Sequence, residues 1–238
     1  DDIDGVALQG REVIGTRRNI LGEIFALHHM IGEDCGQLVT VFRLQQAVEG
    51  FFADSSECVI GGGEDREGPV TGQRIDLLLS KVLRINVDRP SKSRPYSIPR
   101  DNPFLNTPNA APETWAHGFR NPWRITSDPK TGDIWVGENG QDLWESVKRV
   151  EPGANYGWSK LEGSHPFYLE RKLGPGKLTA PTFEHPHREA RSLTGGVVYH
   201  GKRHAKLQGA YVYGDYSTGK IWAGRHDGQR VVWHREIA

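Results

Sequence analysis

The residues best suited to chemistry lie in one polar segment, from Gly118 to Trp158. Near its start, Arg120 offers a planar fork of N–H donors to ligand oxygen atoms, and Asn121 adds a neutral donor and acceptor. Pro122 follows and fixes the backbone turn that presents them. Alone, this triplet favours a structural arginine that clamps loop carbonyls. Within the complete segment, we interpret it as part of a ligand site.

The composition excludes several classes of partner. Lysine plus arginine and aspartate plus glutamate number 30 each, so the net charge is zero and no long-range field attracts nucleic acid or an anionic membrane. No apolar run is long enough for a membrane-spanning helix, so membrane insertion is not expected. The chain opens on Asp1 to Asp4 without a signal-peptide pattern, which predicts a mature form, a cytoplasmic protein or a fragment.

The same composition predicts an all-β fold. With 29 glycines, 14 prolines, 7 tryptophans and 1 methionine, many turns joined by short aromatic strands are expected rather than a helical bundle. Leu77–Val87 is predicted to end in a strand whose inward and outward side chains alternate. The Pro-, Ser- and Asn-rich residues Ser91–Pro112 are predicted to form a long connection. Further strands are predicted at Asp133–Gly137, Gly195–His200, Ala210–Gly214, Lys220–Ala223 and Arg230–His234.

A weak internal repeat points to a particular all-β architecture. Thr131–Gly137 is echoed by Thr218–Gly224, each a turn that feeds an Ile-Trp strand closed by glycine. A repeated supersecondary unit is typical of a β-propeller or a related array, although a common hairpin entry recurring by chance gives the same pattern. At roughly sixty residues a blade, the chain builds about three to four blades. It is therefore expected to be part of a larger propeller or a degraded copy.

The N-terminal segment, residues 1–50, differs in texture and stays unassigned, whereas 51–238 form the expected propeller region. The two cysteines, Cys35 and Cys58, permit one disulfide, but buried thiols are the preferred interpretation. His185 and His187 are too close together in sequence for a common zinc site. A role in the loop, or in supporting other site residues, is favoured over a role as metal ligands.

Seven motifs between residues 59 and 238 stand in a fixed order. They are Ile60–Glu64, Gln73–Asp76 continuing through Leu83–Asp88, Pro95–Phe104, Gly118–Trp158, Glu184–His187 with Ser192–Gly196, Tyr213–Tyr216 and Gly219–Trp222. In this order they resemble the glucose/sorbosone dehydrogenase family, soluble aldose sugar dehydrogenases that use pyrroloquinoline quinone (PQQ). The resemblance implies a six-bladed propeller, of which this chain is a part.

The resemblance also implies an activity. Members of this family oxidise the anomeric carbon of an aldose to the lactone, with PQQ and Ca²⁺ as cofactors and an external electron acceptor. A base takes the hydroxyl proton, the quinone accepts hydride, and cations polarise the quinone and hold its carboxylates. The partners expected are therefore a small sugar and an electron acceptor, and the expected location is the periplasm or the exterior.

Residue by residue, the resemblance assigns two groups of site residues. Arg120, Asn121 and Trp123 are expected at the cofactor, and Arg191 and Lys220 are candidates for holding its carboxylates. His200 and Thr218 fall nearer those later positions, but neither is a dependable cation. Main-chain carbonyls of Gly140 and Gln141 are expected to bind Ca²⁺, because calcium takes oxygen ligands. Glu145 and Tyr156 are candidates for a second, structural calcium ion.

The general base is not identified. The family carries it in a His-Asn-Gly-Gly motif, and neither His28 nor His29 is followed by such a sequence. This leaves a second hypothesis, a non-catalytic extracellular interaction module. A third, a glycosidase, needs two carboxylates facing one cleft, and Glu138 with Asp142 is the available pair, against which the motif order argues.

Overall fold

The computed structural model describes residues 71–94 and 96–238, together with the backbone of two strands at 41–43 and 57–61. No α-helix occurs in these ranges, so the predicted all-β fold is confirmed. Two short 3₁₀ turns span Thr71–Gln73 and Ala205–Leu207. The strands are β1 Val41–Arg43, β2 Glu57–Gly61, β3 Lys81–Asn86, β4 Thr114–His117, β5 Asn121–Ser127, β6 Ile134–Asn139, β7 Trp144–Arg149, β8 Ala154–Asn155, β9 Leu161–Glu162, β10 His165–Pro166, β11 Lys177–Leu178, β12 Phe183–Pro186, β13 Leu193–Tyr199, β14 Ala210–Asp215, β15 Ile221–His226 and β16 Val231–Glu236.

These strands form three sheets and one small hairpin. The first sheet has the order β1-β2-β3-β4-β8-β11, the second β12-β7-β6-β5 and the third β13-β14-β15-β16, while β9 and β10 pair with each other. The second and third are four-stranded antiparallel sheets. Four antiparallel strands are the usual content of a propeller blade.

The sheets pack face to face through apolar side chains. Between the first and second sheets the buried cluster includes Val82, Ala116, Phe119, Ile125 and Val136. Between the second and third it is dominated by aromatic rings, namely Trp135, Phe183, Tyr211, Tyr213 and Trp222. Stacked aromatic rings bury large apolar areas, which stabilises the contact between these two sheets. Trp135, Trp158 and Trp222 are buried, as the strand spacing of aromatic residues predicts.

One strand departs from its predicted pattern. The sequence of β3 reads as an alternating strand with one face in water, but all six of its residues are buried. Val82 belongs to the core towards the second sheet, while Leu83 and Ile85 pack with Tyr96 on the opposite side. Arg84 is buried because its guanidinium lies 4.7 Å over the Trp115 ring and pairs with Asp101 at 3.0 Å.

The internal repeat does not mark equivalent strands. Its first copy becomes β6, the second strand of its sheet, and its second copy becomes β15, the third strand. What the copies share is the turn before each strand: the N–H of Gly132 donates to the Asp128 carbonyl, and that of Gly219 to the Asp215 carbonyl. The repeat is thus a hairpin entry, and the blades are defined by strand pairing instead.

The five strands predicted between Asp133 and His234 correspond to β6, β13, β14, β15 and β16, and these predictions are confirmed. The long connection between β3 and β4 is also confirmed over the residues described. Predictions for His28, His29, Cys35 and the Cys58 side chain lie outside the described residues. None of the helical turns within the described ranges has the length and apolarity needed to cross a bilayer.

Candidate functional site

The candidate cofactor residues cluster at one edge of the second sheet. Asn121 begins β5 and is paired with Asn139, which ends β6, so both lie at the same edge. Arg120 precedes β5, and Gly140 and Gln141 follow β6. Strand order alone therefore brings these residues together, because adjacent antiparallel strands place one strand's beginning beside its neighbour's end.

The third sheet adds its own edge to this rim. The side-chain amide of Asn139 donates to the Leu193 carbonyl at 3.1 Å, which ties the end of β6 to the beginning of β13. Arg191 lies just before β13 and is exposed, and its Nε donates to the His187 carbonyl at 3.0 Å. Lys220 lies before β15, and its Nζ donates to Glu236 at 2.8 Å. Both later cations therefore have protein partners.

Arg120 is positioned from its backbone and from its side chain. Its N–H donates to Oε1 of Glu138 at 2.7 Å, and its Nε donates to Oε1 of Gln141 at 3.0 Å. The backbone of residue 120 is thus anchored in the sheet, while the guanidinium lies beside the loop that follows β6. The guanidinium carries five N–H groups in a planar fork, a donor set that suits the oxygen atoms of carboxylates and quinones.

Glu138 is itself held by a buried cation. Its side chain is buried, and Oε2 contacts both Lys148 Nζ and Ser146 Oγ. The Lys148 ammonium also lies 5.5 Å from the centre of the Phe119 ring and 5.7 Å from that of Tyr156. Burial lowers the pKa of Lys148 to about 7. The charge of Glu184 opposes that lowering, and the contact with the Glu138 carboxylate acts in the same direction, since an opposite charge favours the protonated form.

The loop after β6 is fixed by Glu145, which is buried in β7. Its carboxylate accepts four hydrogen bonds, from Asn139 Nδ2, the Gly140 N–H, His187 Nε2 and the Leu193 N–H. Two oxygens with four donors have little capacity left for a metal ion. Glu145 was predicted as a ligand of a second calcium ion. In the structure its carboxylate instead holds the Gly140 turn in place.

The same loop is held from its other side by Glu162. This buried carboxylate accepts through Oε1 from the N–H groups of Gln141 at 2.5 Å, Asp142 at 2.7 Å and Leu143 at 3.3 Å. Successive N–H groups around one anion form a compact, rigid turn. Sequence reasoning missed Glu162, since the one weak signal was a carboxylate directly before the Gly163 turn.

A glycine is required at position 140. A Cβ there would lie 1.7 Å from the Trp144 carbonyl oxygen, which leaves no space for any side chain. The peptide units between Gly140 and Asp142 direct their N–H groups at Glu162, so their carbonyls face the opposite side of trans peptide planes. Backbone carbonyls on a surface turn are hard oxygen donors of the type that Ca²⁺ takes, so the residues fit this ion.

The hydroxyl group of Tyr156 does not contact this loop. The hydroxyl donates to the Arg149 carbonyl at 3.0 Å and accepts from the Glu151 N–H at 3.1 Å, beyond the far end of β7. Burial raises the pKa of this hydroxyl. The structure therefore does not bring together Tyr156 and Glu145, the pair predicted for a second calcium ion.

The remaining predicted positions fall outside the loop cluster or at its border. Trp123 is 48% exposed on β5 and is the tryptophan whose ring is most open to a ligand. His185 is buried against Tyr213, whose hydroxyl lies 2.7 Å from Nε2. Glu138 is buried in its contact with Lys148, whereas Asp142 is exposed, so they are not a matched pair of cleft carboxylates.

The sequence model of the Glucose / Sorbosone dehydrogenase family matches residues 49–238. The HIPL1 protein of Arabidopsis thaliana is 35% identical over 188 residues, covering 69% of this chain and 26% of that protein. The Hedgehog-interacting protein of Homo sapiens is 34% identical over 142 residues, covering 56% of this chain and 17% of that protein.

Solved structures share the fold. The apo-form of soluble aldose sugar dehydrogenase from Escherichia coli has a TM-score of 0.60 at 22% identity, covering 79% of this chain and 52% of that one. The PQQ-bound aldose sugar dehydrogenase from Streptomyces coelicolor has a TM-score of 0.52 at 22% identity, covering 77% and 45%. At these identities the likeness concerns the fold alone.

The chain belongs to the glucose/sorbosone dehydrogenase family and has part of its β-propeller fold. It spans about half the length of the aldose sugar dehydrogenase structures and about a quarter of HIPL1. The family predicted from the ordered motifs is thereby confirmed.

Proposed function

We propose that this chain carries the cofactor-binding part of a quinoprotein sugar dehydrogenase, which oxidises the anomeric carbon of an aldose to the lactone with PQQ and Ca²⁺. The observation that carries the proposal is the placement of Arg120 beside a turn that buried carboxylates hold rigid. Its Nε lies 3.0 Å from the Gln141 side chain, and the lack of a side chain at Gly140 lets the Trp144 carbonyl pack directly against the turn. Cation and carbonyl donors thus occupy one rim.

Each residue has a distinct task in this proposal. PQQ, when bound, supplies the electrophilic carbon that accepts hydride from the sugar. Arg120 donates to the quinone oxygens and Asn121 assists it, while the Gly140 and Gln141 carbonyls hold Ca²⁺. The exposed ring of Trp123 covers the flat cofactor and excludes water from it. No described residue is assigned as the base.

The remaining features of the proposal follow from the family. Residues 51–238 are the propeller region, an external acceptor takes the electrons, and the complete protein acts in the periplasm or outside the cell, where PQQ is available. Arg191 and Lys220 are proposed to turn towards the cofactor carboxylates when PQQ binds, exchanging their present partners, His187 and Glu236.

The experiment that tests this activity is dye reduction by the purified chain after loading with PQQ and Ca²⁺, over a panel of aldoses. Turnover that depends on both cofactors and yields the lactone supports the proposal. A wild-type chain that binds both cofactors but reduces no dye with any aldose contradicts the dehydrogenase activity.

A second candidate function is a non-catalytic extracellular interaction module. The pairing of Arg191 and Lys220 with protein groups favours it, because it leaves fewer cations directed at a cofactor. The relative named Hedgehog-interacting protein is consistent with such a role. Absence of PQQ binding, together with a folded chain, is the result that supports the module.

A further inference from the structure

The hairpin formed by β9 and β10 lies against the rim at three places. Glu162 of β9 accepts hydrogen bonds from the loop after β6, and the His165 ring of β10 stacks on Trp144 with centroids 3.6 Å apart. Between them, Ser164 donates from its N–H and from Oγ to Glu184 of β12 at 2.9 and 2.7 Å. The hairpin is therefore attached to the second sheet, although its two strands pair only with each other.

The Glu162 carboxylate is the group that contacts the loop after β6. The carboxylate is 3% exposed, and its hydrogen-bond donors here are backbone N–H groups rather than cations. The N–H of Gln141 belongs to the same peptide unit as the Gly140 carbonyl, and the N–H of Asp142 to the same unit as the Gln141 carbonyl. A negative charge on each N–H polarises these units and makes their carbonyl oxygens better acceptors.

We propose that Glu162 is a positioning residue for a divalent cation, acting through the peptide units of Gly140 and Gln141. It fixes the orientation of both carbonyls and increases their negative charge, although it does not touch the cation itself. This inference rests on the proposed function for the identity of the ligand. The clamp on the three N–H groups is a separate claim that can be tested without PQQ or Ca²⁺.

Two variants isolate this role. Glu162→Gln keeps the size of the side chain and removes its charge, and one of its two terminal positions becomes a donor that repels the backbone N–H groups. Glu184→Gln is the matched control, because Glu184 accepts from Ser164 rather than from the loop, and the amide oxygen of a glutamine still accepts from Ser164 Oγ and keeps the hairpin attached. Urea unfolding of both variants verifies that each remains folded.

The first readout is hydrogen exchange at the amides of Gln141, Asp142 and Leu143 in cofactor-free protein. Exchange there is expected to accelerate about tenfold or more in Glu162→Gln, since the loss of one charge-assisted hydrogen bond is a change of that order, and to stay unchanged in Glu184→Gln. Unchanged exchange in Glu162→Gln overturns the proposal.

The second readout is Ca²⁺ titration in the presence of PQQ, followed by tryptophan fluorescence. A dissociation constant for Ca²⁺ raised about tenfold in Glu162→Gln, with the wild-type value in Glu184→Gln, supports the proposal. Equal constants in wild type and Glu162→Gln overturn it. If the wild type binds neither PQQ nor Ca²⁺ while amide exchange still accelerates, the proposed function fails and the clamp remains as a loop anchor only.

Discussion

Gln73 and Asn155 exchange a reciprocal pair of side-chain hydrogen bonds. Nε2 of Gln73 donates to Oδ1 of Asn155 at 3.0 Å, and Nδ2 of Asn155 donates to Oε1 of Gln73 at 2.8 Å. Two segments separated by 82 positions are thereby locked together. The β9–β10 hairpin follows shortly after Trp158. The hydrogen bonds between Gln73 and Asn155 therefore fix the chain just before the hairpin that carries Glu162.

Asn155→Ala is expected to destabilise the fold by about 2 kcal/mol, because it leaves the buried Gly157 N–H without its acceptor and removes both hydrogen bonds to the part-buried amide of Gln73, which keeps the Trp158 carbonyl as an acceptor. Urea unfolding measures this change. Gln229→Ala, an exposed amide in a turn, is the control and should change the free energy of unfolding by less than about 0.5 kcal/mol. A loss below about 1 kcal/mol in Asn155→Ala argues against the lock.

Gly140→Ala is expected to abolish Ca²⁺-dependent PQQ binding with a smaller effect on folding, because the new Cβ would collide with the Trp144 carbonyl at 1.7 Å and displace the turn. Gly214→Ala, at the same edge of the third sheet, is the control, since its Cβ would lie 3.4 Å from the Lys220 carbonyl, an ordinary contact. Isothermal titration of PQQ distinguishes them. Wild-type affinity in Gly140→Ala would contradict the role of this turn.

Lys148→Met is expected to cost about 3 to 5 kcal/mol, because it leaves the buried Glu138 carboxylate without its cation. The double variant Lys148→Met/Glu138→Gln removes both charges and keeps an acceptor for the Arg120 N–H, so it should recover much of the loss. Urea unfolding of wild type, both single variants and the double variant forms a complete cycle. Additive changes would show that the two side chains do not interact.

The lowered pKa of His234 predicts that the protein loses stability in acid. The His234 ring stacks against neighbouring rings, and the partial desolvation that this causes, followed by the nearby His185, lowers the pKa of His234 from 6.5 to about 4, with Glu189 acting in the opposite direction. The residue as a whole is exposed, so screening by solvent keeps its effect on stability small. The folded protein keeps His234 neutral where the unfolded chain takes up a proton, so this contribution to stability is complete above about pH 6.5 and falls as the pH drops towards 4. The ring stacks on Phe183 and lies 2.6 Å from the Tyr213 hydroxyl.

The measurement is the free energy of unfolding between pH 7 and pH 4 in wild type and His234→Gln. The variant should lose stability less steeply on acidification, whereas His204→Gln, a histidine outside the aromatic cluster around Phe183, should follow the wild-type curve. Parallel curves for wild type and His234→Gln would show that this imidazole is protonated equally in both states.

The sequence predicted the aromatic strands well, because β6, β14 and β15 combine turn glycines with buried Trp and Tyr. It did not predict β5, since Asn121-Pro122 reads as a turn and the strand contains a bulge between Pro122 and Arg124. It also missed β7, where Glu145 and Lys148 occupy buried positions that a pattern of polarity assigns to solvent.

The site shows the same division. Arg120 with Asn121 and Gly140 with Gln141 were predicted from two motifs that are separated in sequence, and the pairing of β5 with β6 brings both pairs to one edge of the sheet. Glu162 belongs to a hairpin that the sequence does not indicate, and its partners are backbone amides, which leave no trace in residue type. Contacts of a side chain with distant backbone require the fold.

The most direct test of the cofactor site is titration of the purified chain with PQQ, with and without Ca²⁺, following tryptophan fluorescence. Saturable, calcium-dependent quenching is predicted for wild type and for Arg124→Gln, whose exposed arginine lies in β5, the strand that follows Arg120. Arg120→Gln should weaken binding by about tenfold to a hundredfold, the loss of a charge-assisted pair. Absence of quenching in the folded wild type would contradict the cofactor site.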